Sequence, residues 1–395
     1  MKSDFLKYQA QTTTHPLGME ISHARGSYIY SKSGKKYLDF VAGVSACPLG
    51  HCHPKVTEAI KNQLDQYAHV MVYGEYAQGP AVEFSKLLAS LLPDPLEKTY
   101  LVNSGTEAIE GAIKLARRFT GRKKIIAAKN AYHGNTLGSL SLMDNVERTK
   151  VFMPGIGEVA HIGFNEETDL EKITSQTAAV ILESIQGGAG FILPEKNYLK
   201  KVKEKCQQTG ALLILDEIQP GFGRTGKLFG FEHFDVIPDI LVIGKGMGGG
   251  MPVGAFVSSS AIMDSLSHDP ELGHITTFGG NPVIAASALA TLKEITETGL
   301  IEESLQKEKL FRKYLAHPLI SEIRGKGLML APMLPDAEIA TQVILKCQEK
   351  GLILFWLLFE KKALRISPPL NISAAEIEEG CGIILEVLNE IMKRK

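Results

Sequence analysis

The chain has 395 residues, of which 44% are hydrophobic and 22% are charged, and its formal net charge is −1 at pH 7. This length and composition predict a globular protein of two joined domains and exclude a mainly disordered chain. The near-zero net charge disfavours nucleic acid and anionic membranes as partners, so small molecules are the expected ligands.

The cysteines point to a reducing compartment, because their number is odd and their spacing is irregular. The N-terminus has no apolar signal core, and the longest apolar runs are too short to cross a membrane. We therefore expect a cytoplasmic protein. The residues 51–53, His-Cys-His, could suggest a metal site, but no second ligand pair follows at zinc-like spacing, so no metal is expected.

The first fifty residues predict a hairpin, with strands at 27–30 and 36–40 around a turn at 31–34. A helix is predicted over 54–67, because apolar residues recur there at a spacing of four. Short apolar strands then alternate with helices. The predicted strands are 100–102, 124–128, 178–182, 211–215 and 240–243, and the predicted helices between them are 107–119 and 198–208.

This alternation predicts an α/β fold with a mainly parallel sheet covered by helices on both faces. Beyond it, helices are predicted over 282–297, 305–315, 339–350 and 374–392, with short strands between them. The last helix has a start signal, since Ser373 is followed three residues later by Glu376. We assign 51–284 to a large domain, and 1–50 with 285–395 to a smaller one.

Polar residues collect where the predicted strands end, and in open α/β sheets ligands bind at that edge. Ser104, Gly105 and Thr106 follow the first strand and precede a helix. Glu183 ends the strand at 178–182, Asp216 the strand at 211–215, and Lys245 the strand at 240–243. A lysine and carboxylates are therefore predicted to converge on a cleft beside a helix start.

Each of these features has a plainer alternative. Residues 104–106 could bind a phosphate with the free amides of a helix start, or simply cap the helix. Lys245, between glycines, could be a desolvated nucleophile or a surface lysine. Asp216 could hold a pyridine nitrogen protonated or cap nearby backbone.

The residues 221–226 match the G-x-G-x-x-G pattern of dinucleotide sites, which would favour a nicotinamide oxidoreductase. The match begins five residues after Asp216, and no clear helix pattern follows it. Residues 221–227 also match G-x-x-x-x-G-K, but Leu228 stands where a nucleotide-hydrolysis loop needs Ser or Thr. Neither pattern is expected to bind a nucleotide.

Taken together, these residues resemble the class III aminotransferases of fold type I, the family of acetylornithine, ornithine and 4-aminobutyrate aminotransferases. The resemblance runs from residues 38–54 to residues 365–370. Its most specific part is the stretch 215–226, with Lys245 following Asp216 by 29 positions (245 minus 216). It implies a fold type I transferase that uses pyridoxal 5′-phosphate, works as a homodimer with shared active sites, and transfers amino groups.

The resemblance also implies roles for individual residues. Lys245 would hold the cofactor as a Schiff base, Asp216 would pair with the pyridine nitrogen, and Gln219 would lie near the phenolic oxygen. Arg365 would clamp a substrate carboxylate. The remaining positions are Ser104, Gly105 and Thr106 at the phosphate, Tyr132 stacked on the ring with His133 and Glu183 beside it, Thr277 at the phosphate of the neighbouring subunit, and Thr276 and Asn135 near the substrate.

Two positions depart from the family pattern. Asn135 stands where acetylornithine and ornithine aminotransferases usually carry arginine, and an amide cannot supply that charge. Gly188 stands where they usually carry a glutamate that screens the C-terminal arginine. The expected reaction is therefore a ping-pong transfer from a small amino acid or ω-amine to a 2-oxo acid, with a donor that does not bind as acetylornithine does.

Three other functions fit parts of the pattern. A pyridoxal-phosphate mutase or decarboxylase of the same fold would consume no external oxo acid. A nicotinamide oxidoreductase would change NADH absorbance. A non-catalytic pyridoxal-binding protein would carry out no half-reaction, and the presence of both Lys245 and Asp216 argues against it.

Overall fold

The computed structural model describes residues 1–195 and 197–393. The helices are α1 (Lys2–Tyr8), α2 (Ala42–Ser45), α3 (Pro54–Gln66), α4 (Gly79–Leu91), α5 (Gly105–Thr120), α6 (Leu137–Ser141), α7 (Val146–Thr149), α8 (Tyr198–Thr209), α9 (Ser260–Met263), α10 (Pro282–Glu297), α11 (Leu300–Tyr314), α12 (Ala337–Glu349) and α13 (Ala374–Lys393).

The strands follow the same chain order. They are β1 (Ile21–Arg25), β2 (Tyr28–Ser31), β3 (Lys36–Asp39), β4 (Lys98–Val102), β5 (Lys124–Ala128), β6 (Val159–Ile162), β7 (Thr177–Glu183), β8 (Leu212–Asp216), β9 (Ile240–Gly244), β10 (Gly254–Ser258), β11 (Glu322–Lys326), β12 (Met329–Met333), β13 (Leu352–Ile353), β14 (Phe355–Trp356) and β15 (Leu364–Arg365).

A seven-stranded sheet in the order β4-β10-β9-β8-β7-β5-β6 forms the centre of the fold. Strand β10 is antiparallel to both of its neighbours, and the other strands pair in parallel. Alternate residues of β8 enter different hydrophobic clusters, Leu213 and Leu215 on one face and Ile214 on the other. The sheet is therefore covered on both faces, which confirms the predicted fold class.

The predicted helices and strands of the large sheet form close to their predicted limits. Strands β6 and β10 and helix α4 were not predicted. Strand β10 is antiparallel to β9, which it follows closely in the chain, and to β4, which lies far before it in the sequence. A short, fully buried strand of this kind has no alternation of polar and apolar residues that would mark it in the sequence.

The N-terminal strands form a second sheet with a strand from the C-terminal third of the chain. Strands β2 and β3 form the predicted antiparallel hairpin, and β3 pairs in parallel with β13. The division into a large domain, 51–284, and a small domain, 1–50 with 285–395, stays a prediction. Its second boundary falls inside the continuous helix α10.

The start of helix α13 confirms the predicted capping pair. The Ser373 amide donates to the Glu376 carboxylate at 2.8 Å, and the Glu376 amide donates to the Ser373 hydroxyl at 3.2 Å. Reciprocal bonds of this kind satisfy two amides that the first turn leaves free. Among the described residues, no helix combines the length and the apolar character that crossing a membrane would need.

Glu217, next to the site described below, ties the turn after residue 229 to the end of β8. Its buried carboxylate accepts from the Gly230 amide at 2.7 Å and from the Phe231 amide at 2.6 Å. Burial is the largest influence on this group and raises its pKa from 4.5 to about 7. Between pH 4.5 and about pH 7, the folded chain holds a proton on Glu217 that the unfolded chain has lost. The free energy of unfolding therefore falls as pH rises through this range.

We expect Glu217→Gln to flatten the fall of unfolding free energy between pH 5 and pH 7. The slope should become shallower by up to about 1.4 kcal/mol per pH unit, the value for one proton. Urea unfolding of the holoenzyme at pH 5, 6 and 7 measures it. Glu302→Gln, at an exposed position, is the control and should leave the slope unchanged. Equal slopes for Glu217→Gln and wild type would show that Glu217 does not take up a proton on folding.

Candidate active site

Lys245 follows β9 directly and lies at the carboxyl edge of the parallel strands. Burial is the main cause that lowers its pKa, and the nearby Arg365 guanidinium acts in the same direction. The carboxylates of Asp216 and Glu183 act in the opposite direction. These four side chains therefore lie within electrostatic reach of one another, and the amine of Lys245 is easier to deprotonate than an ordinary lysine.

Asp216 ends β8 and is buried. One carboxylate oxygen accepts from the Ile218 amide at 2.9 Å, and the other lies 2.7 Å from Nδ1 of His133. Burial opposes protonation of His133, but its bond with Asp216 and the nearby negative charges outweigh burial and raise its pKa. The imidazole and the carboxylate thus form a buried charge pair that fixes the position of Asp216.

Glu183 lies beside Asp216 in the strand register. Its carboxylate accepts from the Gly187 amide at 2.9 Å and from the Tyr132 amide at 3.3 Å. Burial raises its pKa to about 7, against the opposing charge of His133. Glu183 therefore positions the backbone of Tyr132, which is partly exposed.

The start of α5 lies against the same strand ends. A side-chain carbon added at Gly105 would come within 2.7 Å of Ile218, and one added at Gly244 within 3.4 Å of the Gly105 backbone. Ser104 caps the helix, because its hydroxyl accepts from the Glu107 amide at 3.3 Å. The amides of Gly105 and Thr106 belong to the first turn, where the helix supplies no acceptor.

The Thr106 hydroxyl joins a cluster of hydroxyl groups. It lies 2.8 Å from the Thr136 hydroxyl and 2.7 Å from the Ser139 hydroxyl. Thr136 directly follows Asn135, whose side chain is exposed. Both the capping interpretation and the anion-binding interpretation of residues 104–106 therefore have a structural basis, since the cap leaves the first two amides free.

Arg365, on β15, is 7% exposed. Its Nε atom donates to the Trp356 carbonyl at 3.4 Å, and its guanidinium carbon lies 5.8 Å from the centre of the Phe191 ring. Burial lowers its pKa to about 10, so it stays charged at neutral pH. Phe191 and Trp356 were not predicted, because no motif marks them and they meet Arg365 only through the fold.

Thr276 and Thr277 lie in the loop that passes β4. The Thr276 hydroxyl accepts from the Gly279 amide at 2.9 Å, whereas Thr277 is exposed.

The glycine pattern at 221–226 serves a different purpose from a nucleotide loop. Its buried Arg224 donates to the carbonyls of Leu328 and Pro368, the first at 3.1 Å, and so links this loop to the C-terminal strands.

Buried polar atoms without partners test whether a pyridoxal-type cofactor fits here. Within the described ranges, Nε2 of His133, Nε2 of Gln219 and Nη1 of Arg365 are buried and have no hydrogen-bond partner. The free amides at the start of α5 add an anion site. An anionic, planar, hydrogen-bonding ligand with a phosphate group satisfies this set of donors, so the residues fit pyridoxal phosphate.

Comparison with known proteins agrees with the geometry. The family profile described as "Aminotransferase class-III" matches residues 8–388. An acetylornithine aminotransferase of Caldanaerobacter subterraneus subsp. tengcongensis is 39% identical over 378 residues, covering 93% of each chain. The LysW-aminoadipate semialdehyde/glutamate semialdehyde transaminase of Sulfolobus acidocaldarius is 39% identical over 380 residues, covering 95% of this chain and 96% of that one.

Solved structures resemble the whole chain. The ornithine aminotransferase of Toxoplasma gondii superposes with a TM-score of 0.91 at 29% identity, covering 100% of this chain and 96% of that one. A transaminase from the marine bacterium Virgibacillus gives 0.92 at 26% identity, covering 100% and 99%. This chain therefore belongs to the class-III aminotransferases, the pyridoxal-phosphate-dependent transaminases of fold type I.

Proposed function

We propose that this transaminase moves an amino group from a small amino acid or an ornithine-like ω-amine to 2-oxoglutarate by a ping-pong mechanism. The observation that carries the proposal is the placement of Lys245. Its amine, whose pKa is lowered by burial, lies within electrostatic reach of the Asp216 carboxylate and of the Arg365 guanidinium, whose Nη1 has no hydrogen-bond partner. One relative is named as an acetylornithine aminotransferase, and another as a transaminase of aminoadipate semialdehyde and glutamate semialdehyde. These names support an amino acid or an ω-amine as the amino donor.

The cofactor-binding roles follow from the donors around the cleft. Asp216, held by His133, would keep the pyridine nitrogen protonated, and the free amide of Gln219 would bind the phenolic oxygen. Tyr132 would cover one face of the ring, with Glu183 fixing its backbone. The phosphate would be bound by Ser104, Gly105 and Thr106 at the start of α5.

Bound pyridoxal phosphate supplies an electron-accepting ring that stabilises negative charge on the substrate carbon. Lys245 would serve as the base and then the acid that moves the proton to and from that carbon. Burial lowers the pKa of its amine, so the neutral, proton-accepting form is easier to reach than in an exposed lysine. The negative charge of Asp216 keeps the lysine from losing its proton too readily.

Arg365 would bind the α-carboxylate of the 2-oxo acid by a two-pronged ion pair. Its free Nη1 is available for this role, and its guanidinium carbon lies 5.8 Å from the centre of the Phe191 ring. Asn135 and Thr276 would lie near the substrate entrance. Because Asn135 is neutral and exposed, we propose that the donor is not held as acetylornithine would be by an arginine at that position.

We also propose a homodimer with shared active sites. Thr277 is exposed and is followed by Phe278, whose side chain is 55% exposed. An exposed aromatic side chain beside the predicted phosphate contact is what a subunit interface would cover.

All five cysteines are free thiols, which supports the cytoplasm as the compartment.

A panel of amino donors tested with 2-oxoglutarate examines this proposal. Ping-pong transfer predicts parallel lines in double-reciprocal plots and release of the oxo product before 2-oxoglutarate is added. Turnover without consumption of an external oxo acid would instead indicate a mutase or a decarboxylase. Acetylornithine as the best donor by a wide margin would contradict the role given to Asn135.

A further inference from the structure

A cavity lined by cations lies at the C-terminal end of α5, the helix whose start is assigned to the cofactor phosphate. Its volume is about 460 Å³, and its basic side chains are Lys114, Arg117, Arg118, Arg122 and Lys123. The whole chain has a net charge of −1, so this excess of positive charge is local. Arg118 follows Gly105 by 13 positions on one helix (118 minus 105), which places it roughly 20 Å from that helix start.

These cations have no carboxylate partner. In the described part of the chain, none of the five side chains belongs to an ion pair. Burial lowers the pKa of Arg117, and the charge of Glu158 acts in the opposite direction without forming an ion pair. Lys114, Arg117 and Arg118 share one face of α5 at spacings of three and four residues, where like charges repel. A bound anion would relieve that repulsion.

Two of the guanidinium groups are held in place by backbone carbonyls. Nη2 of Arg118 donates to the Pro270 carbonyl at 3.1 Å. Nη1 of Arg122 donates to the carbonyls of Thr177 at 3.0 Å and of Thr209 at 2.9 Å. Each guanidinium has five N–H donors, so most of them stay available. Because the groups are already oriented, an anion that binds them loses less conformational entropy in ordering side chains.

Lys114 is held against the wall of the cavity by His274, which also lines it. The Lys114 ammonium donates to Nδ1 of His274 at 2.8 Å. Burial, together with the charge of Lys114, lowers the pKa of His274 to about 4, so the imidazole is neutral at neutral pH and accepts this bond. An ammonium has three N–H donors, and only one of them is used here.

The end of the helix explains only part of this cluster. Basic residues in a last turn neutralise the negative end of the helix dipole, as Arg117 and Arg118 do here. Nε of Arg117 also donates to the Lys123 carbonyl at 2.9 Å. Lys114 stands before the last turn, and Arg122 and Lys123 follow the helix. The dipole therefore accounts for the two arginines of the last turn and not for the other three cations.

We propose that this cavity is a binding site for a small polyphosphate anion, separate from the site of the cofactor phosphate. The planar fork of arginine matches phosphate oxygens, and several cations suit a ligand with several negative charges. No Phe, Tyr or Trp side chain lines the cavity, so a nucleobase would find no ring of that kind to stack on. The inference goes beyond the proposed function and does not depend on it.

Calorimetric titration of the holoenzyme with inorganic tripolyphosphate at low ionic strength tests the proposal. We expect one site per subunit. Lys114→Gln combined with Arg118→Gln should raise the Kd at least about tenfold, because two charge-assisted contacts are lost. Lys86→Gln combined with Lys309→Gln removes the same charge from exposed positions elsewhere and should leave the Kd unchanged. Citrate, a trivalent carboxylate, should bind at least about tenfold more weakly than tripolyphosphate.

Three results would overturn the proposal. They are an absence of binding to the wild-type holoenzyme, equal weakening in both double variants, and equal affinity for citrate and tripolyphosphate. Retained cofactor absorbance and transaminase activity show that a variant is folded. Lys123→Gln, at an exposed position, decides the matter if the first double variant does not fold. That single change should raise the Kd about threefold, and an unchanged Kd would contradict the site.

Discussion

Lys245→Ala is expected to lower turnover by at least roughly 10⁴-fold, the upper range for a positioned acid–base group. It should also abolish the visible absorbance of the covalently held cofactor. The physical reason is that the amine of Lys245, at the end of β9, lies within electrostatic reach of both Asp216 and Arg365. Steady-state assays and an absorbance spectrum of the purified variant measure both effects.

Lys227→Ala is the control for that prediction. Lys227 is exposed and follows the glycine pattern at 221–226. The transaminase account predicts that its removal leaves activity and spectrum unchanged. Full activity of Lys245→Ala, or its loss in Lys227→Ala instead, would show that the glycine loop and not the end of β9 carries the chemistry.

Asp216→Asn is expected to reduce the rate of the first half-reaction roughly a thousandfold, the loss expected when one member of a buried charge pair is neutralised. An amide cannot carry the negative charge that holds both the His133 imidazole and a protonated ring nitrogen. Stopped-flow absorbance with a single amino donor measures the rate constant directly.

Asp239→Asn is the matched control, because Asp239 stands at the opposite end of the same strands. Its carboxylate accepts from the Leu213 amide at 2.7 Å and pairs with Lys203 at 2.6 Å. This variant should lower stability without a comparable loss of rate. Equal losses of rate for Asp216→Asn and Asp239→Asn would mean that Asp216 acts only through folding.

Much of the site could be predicted from local sequence, because its main residues end strands of one parallel sheet. Glu183, Asp216 and Lys245 each follow a run of buried apolar residues, and parallel strands place such ends together. The start of α5 was recognisable for a similar reason, since Ser104 and Gly105 break a strand pattern before a helical one.

The surroundings of Arg365 could not be predicted in this way. Phe191, Trp356 and Phe359 come from loops and short strands without periodicity, and they meet only because the C-terminal strands pack onto the loop after β7. The sequence showed Gly188 as a departure from the family pattern. The contact with Phe359, whose ring an added side-chain carbon at Gly188 would approach to 3.0 Å, appears only in the folded structure.

Chemical trapping of the cofactor tests the central claim most directly. Borohydride reduction of the holoenzyme fixes the cofactor to the lysine that holds it, and peptide mass spectrometry then locates the modification. The account predicts a single modified site, the lysine at the end of β9, residue 245. Modification of a different lysine, or recovery of the peptide containing residue 245 without any added mass, would contradict it.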